Sequence, residues 1–453
     1  MLPESFLNSL QGLPGFDKES FIRVHEQGEQ VTSLRLNPVK PINKSAHSFL
    51  NNISSIPWCQ NGYYLSERPS FVTDPLWHAG AYYVQEASSM FVQYILGELI
   101  PDTKGKVALD LCAAPGGKST LMASHFKDGL VVANETIKSR NAILVENITK
   151  WGNDQVVVTQ NDPSHFKSLP QFFDLMLIDA PCSGSGLFRK DPAAIEEWST
   201  DSVQHCSTRQ TRILEESLDA LKEGGYLIYS TCSYSFEEDE QMMDFIAAMP
   251  GMQNIKLEPP AEWNIVACES PNHQAIGFRF YPNKLKGEGF FVTVFQKQTS
   301  LVGGFYTADF KWNAISKQEH AVLSTHQLIS EAYTYISHQN TLLAIPSHFE
   351  MQIKALLKNL YVKKLGLDLG EIKGKDLIPA HALAMSSWEN LPYGRVEVDL
   401  ANALQYLRRA DLVLGGEKGW QAICYQNISL GWAKLLPNRT NNYYPTEWRI
   451  LKY

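Results

Sequence analysis

The sequence predicts an α/β fold in which a parallel sheet, covered by helices on both faces, carries the chemistry and has a smaller region on each side. Three observations predict it. Short apolar runs alternate with helical spacing between Lys106 and Ser230, and strand alternating with helix means a parallel sheet buried on both faces. Small and polar residues recur where those runs end, which is where open parallel sheets bind ligands. After Lys297 the alternation stops.

The elements follow in order. Val31 to Asn37 alternates like a strand and is stopped by Pro38, and the clusters at Pro41–Ser48 and Gln60–Pro69 read as loops. Val107–Leu111 is a first buried strand running into a Gly-rich turn, with helical spacing through Leu121. Leu130–Glu135 is the next strand, Ser139–Trp151 the next helix, and Val156–Thr159 and Phe173–Asp179 continue the series. A helix over Ser207–Leu221 leads through Gly224-Gly225 to the strand Tyr226–Ser230. A further helix is expected after Cys232, through Glu237-Glu238-Asp239-Glu240. Gly289–Phe295 reads as a last, antiparallel edge strand. From about residue 300 the chain is expected to be helical at first, then β-like between Arg395 and Trp432. Lys434, Arg439, Arg449 and Lys452 gather near Tyr443, Tyr444 and Trp448. No internal repeat or low-complexity tract interrupts the pattern.

Composition bounds the partners. With 453 residues, 44% hydrophobic and 19% charged, the chain suits a soluble protein of two to four domains. No apolar run approaches the roughly 20 residues that span a bilayer, and Met1–Ser5 lacks the features of a secretory signal. A cytoplasmic protein without a membrane partner is expected. The net charge of −8 counts against simple phosphate binding, although a local basic surface can exist on an acidic chain. Seven cysteines, at 59, 112, 182, 206, 232, 268 and 424, include no C-x-x-C pair. Reduced thiols are therefore expected, and neither a disulfide framework nor a metal site.

The turn from Asp110 to Ser119 joins a strand end to a helix start through Cys112, Ala113, Ala114, Pro115, Gly116, Gly117 and Lys118. Small residues let a ligand approach the backbone, and a helix N-terminus offers free N–H groups. A P-loop would need Gly at 112, where Cys112 stands, and a dinucleotide fingerprint at 184 and 186 would need Gly at 189, which is Arg189. Both readings fail, leaving a cofactor without a pyrophosphate. Glu135 is placed to take ribose hydroxyls and Asp162 an adenine amino group. Each alone could equally be an exposed strand-end acid.

Cys182 follows the fourth strand and Cys232 the fifth, so the fold would bring them together from 50 positions apart. Cys59, Cys206, Cys268 and Cys424 are expected to be buried structural thiols. A redox pair usually has closer spacing, so a nucleophile with an assisting thiol is the preferred reading. Such a pair suits cytosine carbon 5, which becomes nucleophilic only after a thiolate adds at carbon 6. Asp179 is placed to stabilise charge on the ring nitrogen.

The loop Cys112–Lys118, the turn Asp179–Gly184 and the turn Ser230–Ser233 together resemble the signature of the Sun/Nop family of RNA cytosine-5 methyltransferases. Ala81–Met90 and Gly287–Phe291 extend the resemblance. It implies a Rossmann-like S-adenosylmethionine methyltransferase sheet with an antiparallel last strand. It also implies attack by Cys232, release assisted by Cys182, and Asp179 as the acid beside cofactor and base. The cofactor contacts would fall on Cys112–Lys118, Glu135 and Asp162. The tail, at Pro379–Met385, Val398–Leu400, Tyr406–Arg408 and Leu430–Lys434, resembles the RsmF type, whose members act on small-subunit ribosomal RNA and end in a PUA-like module. The expected organisation is an N-terminal RNA-binding region at 1–90, a catalytic domain at 91–298, a connecting domain at 299–378 and a PUA-like α+β region at 379–453. A monomer acting on 16S ribosomal RNA, free or within the 30S subunit, is expected. The alternatives are transfer RNA as substrate, or an assembly factor without catalysis.

Two positions depart from the family. Asp239 stands where Asn is common, and Ser185 where Glu is frequent. Arg189 and Lys190 beside the Cys182 turn suit phosphate contacts.

Overall fold

A computed structural model describes residues 2–44, 47–300, 303, 306–338, 340–374, 376–388 and 391–451. Lys452 of the basic cluster and Ser45 and Ala46 of the first loop lie outside the described residues.

The N-terminal region opens with helices Glu4–Ser9 and Lys18–Gln27, the second capped by Asp17, whose carboxylate accepts from the Ser20 N–H. A four-stranded antiparallel sheet follows, in the order 54–56, 59–64, 33–36, 82–84. Phe6 and Phe21 on the two helices pack against Phe188, Trp198, Tyr234 and Tyr281, anchoring this region to the catalytic one.

Five parallel strands form the centre: β1 (Val107–Asp110), β2 (Leu130–Asn134), β3 (Val156–Thr159), β4 (Phe173–Asp179) and β5 (Leu221–Thr231). Their spatial order is β5-β4-β1-β2-β3. Helices α1 (Gly117–His125), α2 (Lys138–Trp151), α3 (Thr200–Ser217) and α4 (Glu240–Ala248) belong to the same unit. Every residue of β1, β2 and β3 is buried, which is why these strands read as unbroken apolar runs. β6 (Phe290–Lys297) pairs antiparallel with β5, as expected, but it is not an edge. Strands 276–280 and 266–269 continue the sheet beyond it.

The opposite edge carries the larger surprise. Val362–Lys364, from the C-terminal half, adds antiparallel to β3. The C-terminal half of the β3 edge, at Val158 and Thr159, is thereby covered rather than left open.

Three expected helices differ. α3 begins at Thr200 rather than Ser207, because Ser199 and Ser202 form a capping box that apolar periodicity does not reveal. It ends at Ser217, and Leu221 already belongs to β5. α4 starts only at Glu240, because Glu238 and Asp239 turn their side chains inward to hydroxyl groups. The region after 300 is not helical at first: it is a five-stranded antiparallel sheet, ordered 313–314, 333–338, 341–346, 367–373, 376–379, with helices 317–325 and 350–359. The tail holds a four-stranded sheet with helix Leu400–Leu407 inserted, capped by Asp399. Among the described residues no helix is long and apolar enough to cross a membrane.

Candidate active site

β1 ends at Asp110, and the chain reaches α1 through Gly116, whose φ of +114° favours glycine. Neighbouring strand ends hold the loop. Leu111 N–H donates to Leu177 O at 2.9 Å, and Ala113 N–H to Asn134 O at 2.8 Å. The buried Asn134 amide donates to Leu111 O and Asn161 O, tying together the ends of β1, β2 and β3. Arg140 and Asn147 on α2 donate to the carbonyls of Ala114 and Pro115, both at 2.8 Å.

These contacts shape a cleft between the loop and the segment Tyr83–Ser89, with Asp110, Lys118 and Asp179 in its wall. Asp110 is buried; its Oδ2 accepts from Ser119 Oγ at 2.6 Å, whereas Oδ1 has no hydrogen-bond partner among the described residues. Burial pushes its carboxyl up to about 7, against the Ser119 bond that lowers it. Burial likewise raises the Cys112 thiol. Lys118 Nζ lies 2.8 Å from Asp179 Oδ2, and Ser230 Oγ donates to Asp179 Oδ1 at 2.8 Å. Burial acts to lower the Lys118 ammonium, but the Asp179 carboxylate outweighs it and the net shift is upward.

Glu135 and Asp162 stand at the next two strand ends, outside that cleft. Glu135 Oε1 accepts from Ile137 N–H at 2.8 Å, and its Oε2 is 3.6 Å from Arg140 Nη1. Both Asp162 oxygens accept from Arg212, at 2.8 and 2.9 Å, and Oδ1 also caps the turn at Ser164. Burial opposes ionisation of Asp162, but the Ser164 and Arg212 contacts prevail and hold it below the usual carboxylate range.

The register of β4 on β5 sets Asp179 opposite Ser230, so the turns that follow lie side by side. Cys182 Sγ and Cys232 Sγ are 2.9 Å apart, and both residues are partly exposed. Contact with the Cys232 sulfur, then burial and the nearby Glu238 carboxylate, push the Cys182 thiol well above its ordinary value. Gly186 N–H donates to Cys232 O at 2.8 Å, and Gly289 N–H to Gly186 O at 3.0 Å. A Cβ at Gly186 would stand 2.5 Å from Gly289 O and 2.7 Å from Cys232 O, so only glycine fits this crossing.

Sequence reasoning gave Glu238 no role, and it named Asp239 and Ser185 as departures from the family without their partners. Glu238 is fully buried and accepts from Ser183 and Ser233, the residues that follow the two cysteines. Asp239 accepts from Thr231 Oγ1 at 2.7 Å and pairs with Arg279, which Glu240 also grips. Ser185, in place of the frequent Glu, accepts from Tyr234 N–H at 2.9 Å. The signals available were the acidic run 237–240 and the two departures from the family at Asp239 and Ser185, which name positions but not partners.

Two expectations are corrected. Arg189 does not face phosphate: it is buried and paired with Glu288 at 3.0 Å, donating also to Gly287 O at 2.7 Å. Lys190 beside it is exposed. Cys206 is partly exposed on α3 rather than buried, whereas Cys59, Cys268 and Cys424 are buried.

Comparison with known proteins follows the same order along the chain. A family described as the N-terminal domain of 16S rRNA methyltransferase RsmF matches residues 2–87. The family 16S rRNA methyltransferase RsmB/F matches 98–296, and the methyltransferase RsmF PUA domain matches 393–450. Ribosomal RNA small subunit methyltransferase F of Vibrio cholerae serotype O1 (strain M66-2) is 32% identical, over 87% of this chain and 85% of that protein. This chain belongs to the RsmF-type Sun/Nop family. Another RsmF-type relative, ribosomal RNA small subunit methyltransferase F of Aliivibrio fischeri (strain ATCC 700601 / ES114), is 30% identical over 98% of this chain and 97% of its own. A methyltransferase homologue from Pyrococcus horikoshii shares 27% identity with a TM-score of 0.52, covering 65% of this chain and all of that one. NSun6 from the same organism, at 20% identity and a TM-score of 0.54 over 66% of this chain and 99% of its own, shares the fold. The molecule is thus a Rossmann-like methyltransferase core with an N-terminal domain and a C-terminal PUA domain.

Proposed function

We propose that this methyltransferase methylates carbon 5 of cytosine in 16S ribosomal RNA, with Cys232 as nucleophile and Cys182 assisting release. The observation that carries this reading is the 2.9 Å approach of the two sulfurs, at strand ends next to Asp179 and the cofactor loop. The names of the RsmF relatives supply the ribosomal substrate.

The residues of the loop suit S-adenosylmethionine. Asp110 Oδ1 has no hydrogen-bond partner among the described residues, and the cleft it lines places an acidic side chain where a cationic cofactor would be held. Asp110, the 112–118 loop and Lys118 would hold it, with Glu135 on the ribose. Asp162 takes the adenine amino group only by sharing its carboxylate with Arg212. When bound, the cofactor supplies an electrophilic methyl group.

The chain's own residues do the rest. Cys232, its thiol proton lost to solvent, bonds through sulfur to carbon 6 of cytosine. The 5,6 electron pair shifts between carbons 5 and 4, and the pair of the carbon 4–nitrogen double bond moves onto the ring nitrogen, which takes a proton from Asp179. Asp179, positioned by Lys118 and Ser230, would serve as the acid for that nitrogen and recover its proton when carbon 5 attacks the methyl group. Carbon 5 is then enamine-like and nucleophilic. After methylation a solvent water takes the carbon-5 proton, the electron pair of that bond re-forms the 5,6 double bond, and the carbon 6–sulfur bond breaks so that Cys232 departs as thiolate. Cys182, in contact with that sulfur, assists this last step.

The test is methyl transfer from labelled S-adenosylmethionine to 16S RNA, free and in 30S subunits, and to transfer RNA. Wild type should label cytosine carbon 5 of the ribosomal RNA, Cys232→Ala should be inactive, and Cys182→Ala should trap a protein–RNA adduct. Full activity in Cys232→Ala would rule out the covalent route. Labelling of transfer RNA alone would overturn the substrate and leave the chemistry standing.

A further inference from the structure

We infer that Glu238 is a positioning residue that holds Cys182 and Cys232 in register with one another. The inference rests on the proposed use of the two thiols.

Glu238 lies on neither cysteine-bearing turn, yet it reaches both. Its Oε1 accepts from Ser183 N–H at 2.9 Å and from Gln210 Nε2 at 3.0 Å. Its Oε2 accepts from Ser183 Oγ at 2.5 Å and Ser233 Oγ at 2.6 Å. Gln210 in turn donates to Pro181 O at 3.0 Å. Cys182 is therefore gripped through both chain neighbours, Pro181 and Ser183. Cys232 is gripped likewise, through Ser233 by Glu238 and through Thr231 by Asp239.

The carboxylate has no Lys or Arg partner within ion-pair distance among the described residues. A buried carboxylate without a cation is costly unless neutral donors satisfy it. Here four donors do so, and three of them come from the residues that follow the cysteines. Thus the group that needs those hydrogen bonds draws the two turns together. An apolar residue would fill the same space without choosing a register.

Glu238→Ala removes the bridge. Glu238→Gln keeps it in part: its oxygen can face Ser183 N–H and Gln210, while its amide faces two hydroxyls that can rotate to accept. A first measurement needs no RNA. The full-length chain is treated with oxidised glutathione, and the Cys182–Cys232 cross-link is followed by mass spectrometry. Wild type should cross-link fastest, Glu238→Gln within about threefold of it, and Glu238→Ala roughly tenfold slower, because small misplacements of reacting atoms are strongly penalised. Cys206 alkylation and cofactor binding, unchanged across the set, establish that each variant is folded.

The second measurement is turnover. Glu238→Ala should lose about 100-fold in kcat with little change in RNA KM, and should accumulate adduct as Cys182→Ala does. The double variant Ser183→Ala, Ser233→Ala leaves the carboxylate but removes its hydroxyl partners, and should also slow the cross-link. Wild-type cross-linking rates in Glu238→Ala or in that double variant would overturn the inference. Failure of wild type to methylate cytosine would sink the proposed reaction, while the cross-linking series would still decide the positioning role.

Discussion

The 112–118 loop and the paired thiols occupy the same rim of the sheet but are built in opposite ways. The loop is local: one strand end, six residues and one helix start, braced by hydrogen bonds from the adjacent strands and α2. The thiol site is assembled from two turns 50 positions apart, an acidic run that belongs to neither, and Arg279 from a strand beyond them. A local motif keeps its shape as long as its strand and helix form. A composite one depends on buried charges being matched, so damage far from the sulfurs should reach them.

The largest effect that separates the two is Cys232→Ala. It should lower methyl transfer by roughly 1000-fold or more, because an activated nucleophile carries much of such a reaction, while cofactor affinity measured by calorimetry stays within about twofold. A parallel loss of cofactor binding would show that the two sites are not separable. Next comes Arg279→Met. It leaves Asp239 and Glu240 buried without their cation, and breaking a buried pair typically costs about 3–5 kcal/mol. Urea unfolding reads this directly, and a loss below about 1 kcal/mol would remove the claim that matched buried charge sustains the thiol site.

Lys118→Met should have a smaller effect. It deletes the partly buried pair with Asp179 and should weaken cofactor binding about tenfold, as loss of a charge-assisted contact does. An equal loss in cross-linking of the two thiols would blur the division between the sites. The smallest and most graded effect is pH dependence. Burial raises the Asp110 carboxyl from 3.8 to about 7, so in the free protein it is protonated below that pH and ionised above it. A cationic ligand beside Oδ1 favours the ionised form. Cofactor affinity should therefore strengthen as pH rises towards 7, by up to about tenfold per pH unit, and level off above. Asp110→Asn should flatten the profile; an unchanged slope would assign it to another group.

The buried runs Val107–Asp110, Val156–Thr159 and Phe173–Asp179 were legible because strands covered on both faces must be continuously apolar. The juxtaposition of Cys182 and Cys232 was legible for the same reason: parallel strands place their carboxyl ends on one rim. The 3.6-residue period failed at α3, where a serine pair rather than an apolar residue starts the helix. It failed again after residue 300, where Tyr333–His338 and Thr341–Pro346 pair as a hairpin. It could not foresee Val362–Lys364 closing the β3 edge across some two hundred positions, because backbone pairing leaves little mark on side-chain identity.

What the sequence determined alone was the alternation that builds the sheet, the place of the small-residue loop 112–118 between a strand and a helix, and the presence of two cysteines at neighbouring strand ends. Only the tertiary structure decided that Arg189 is buried against Glu288, that Cys206 is partly exposed, and that Glu238 and Asp239 face inward to hold the thiol turns. The physical reason is one of range. Periodicity and turn chemistry act between residues close in the chain. Whether a charge is solvated or buried depends on which distant donors fold around it.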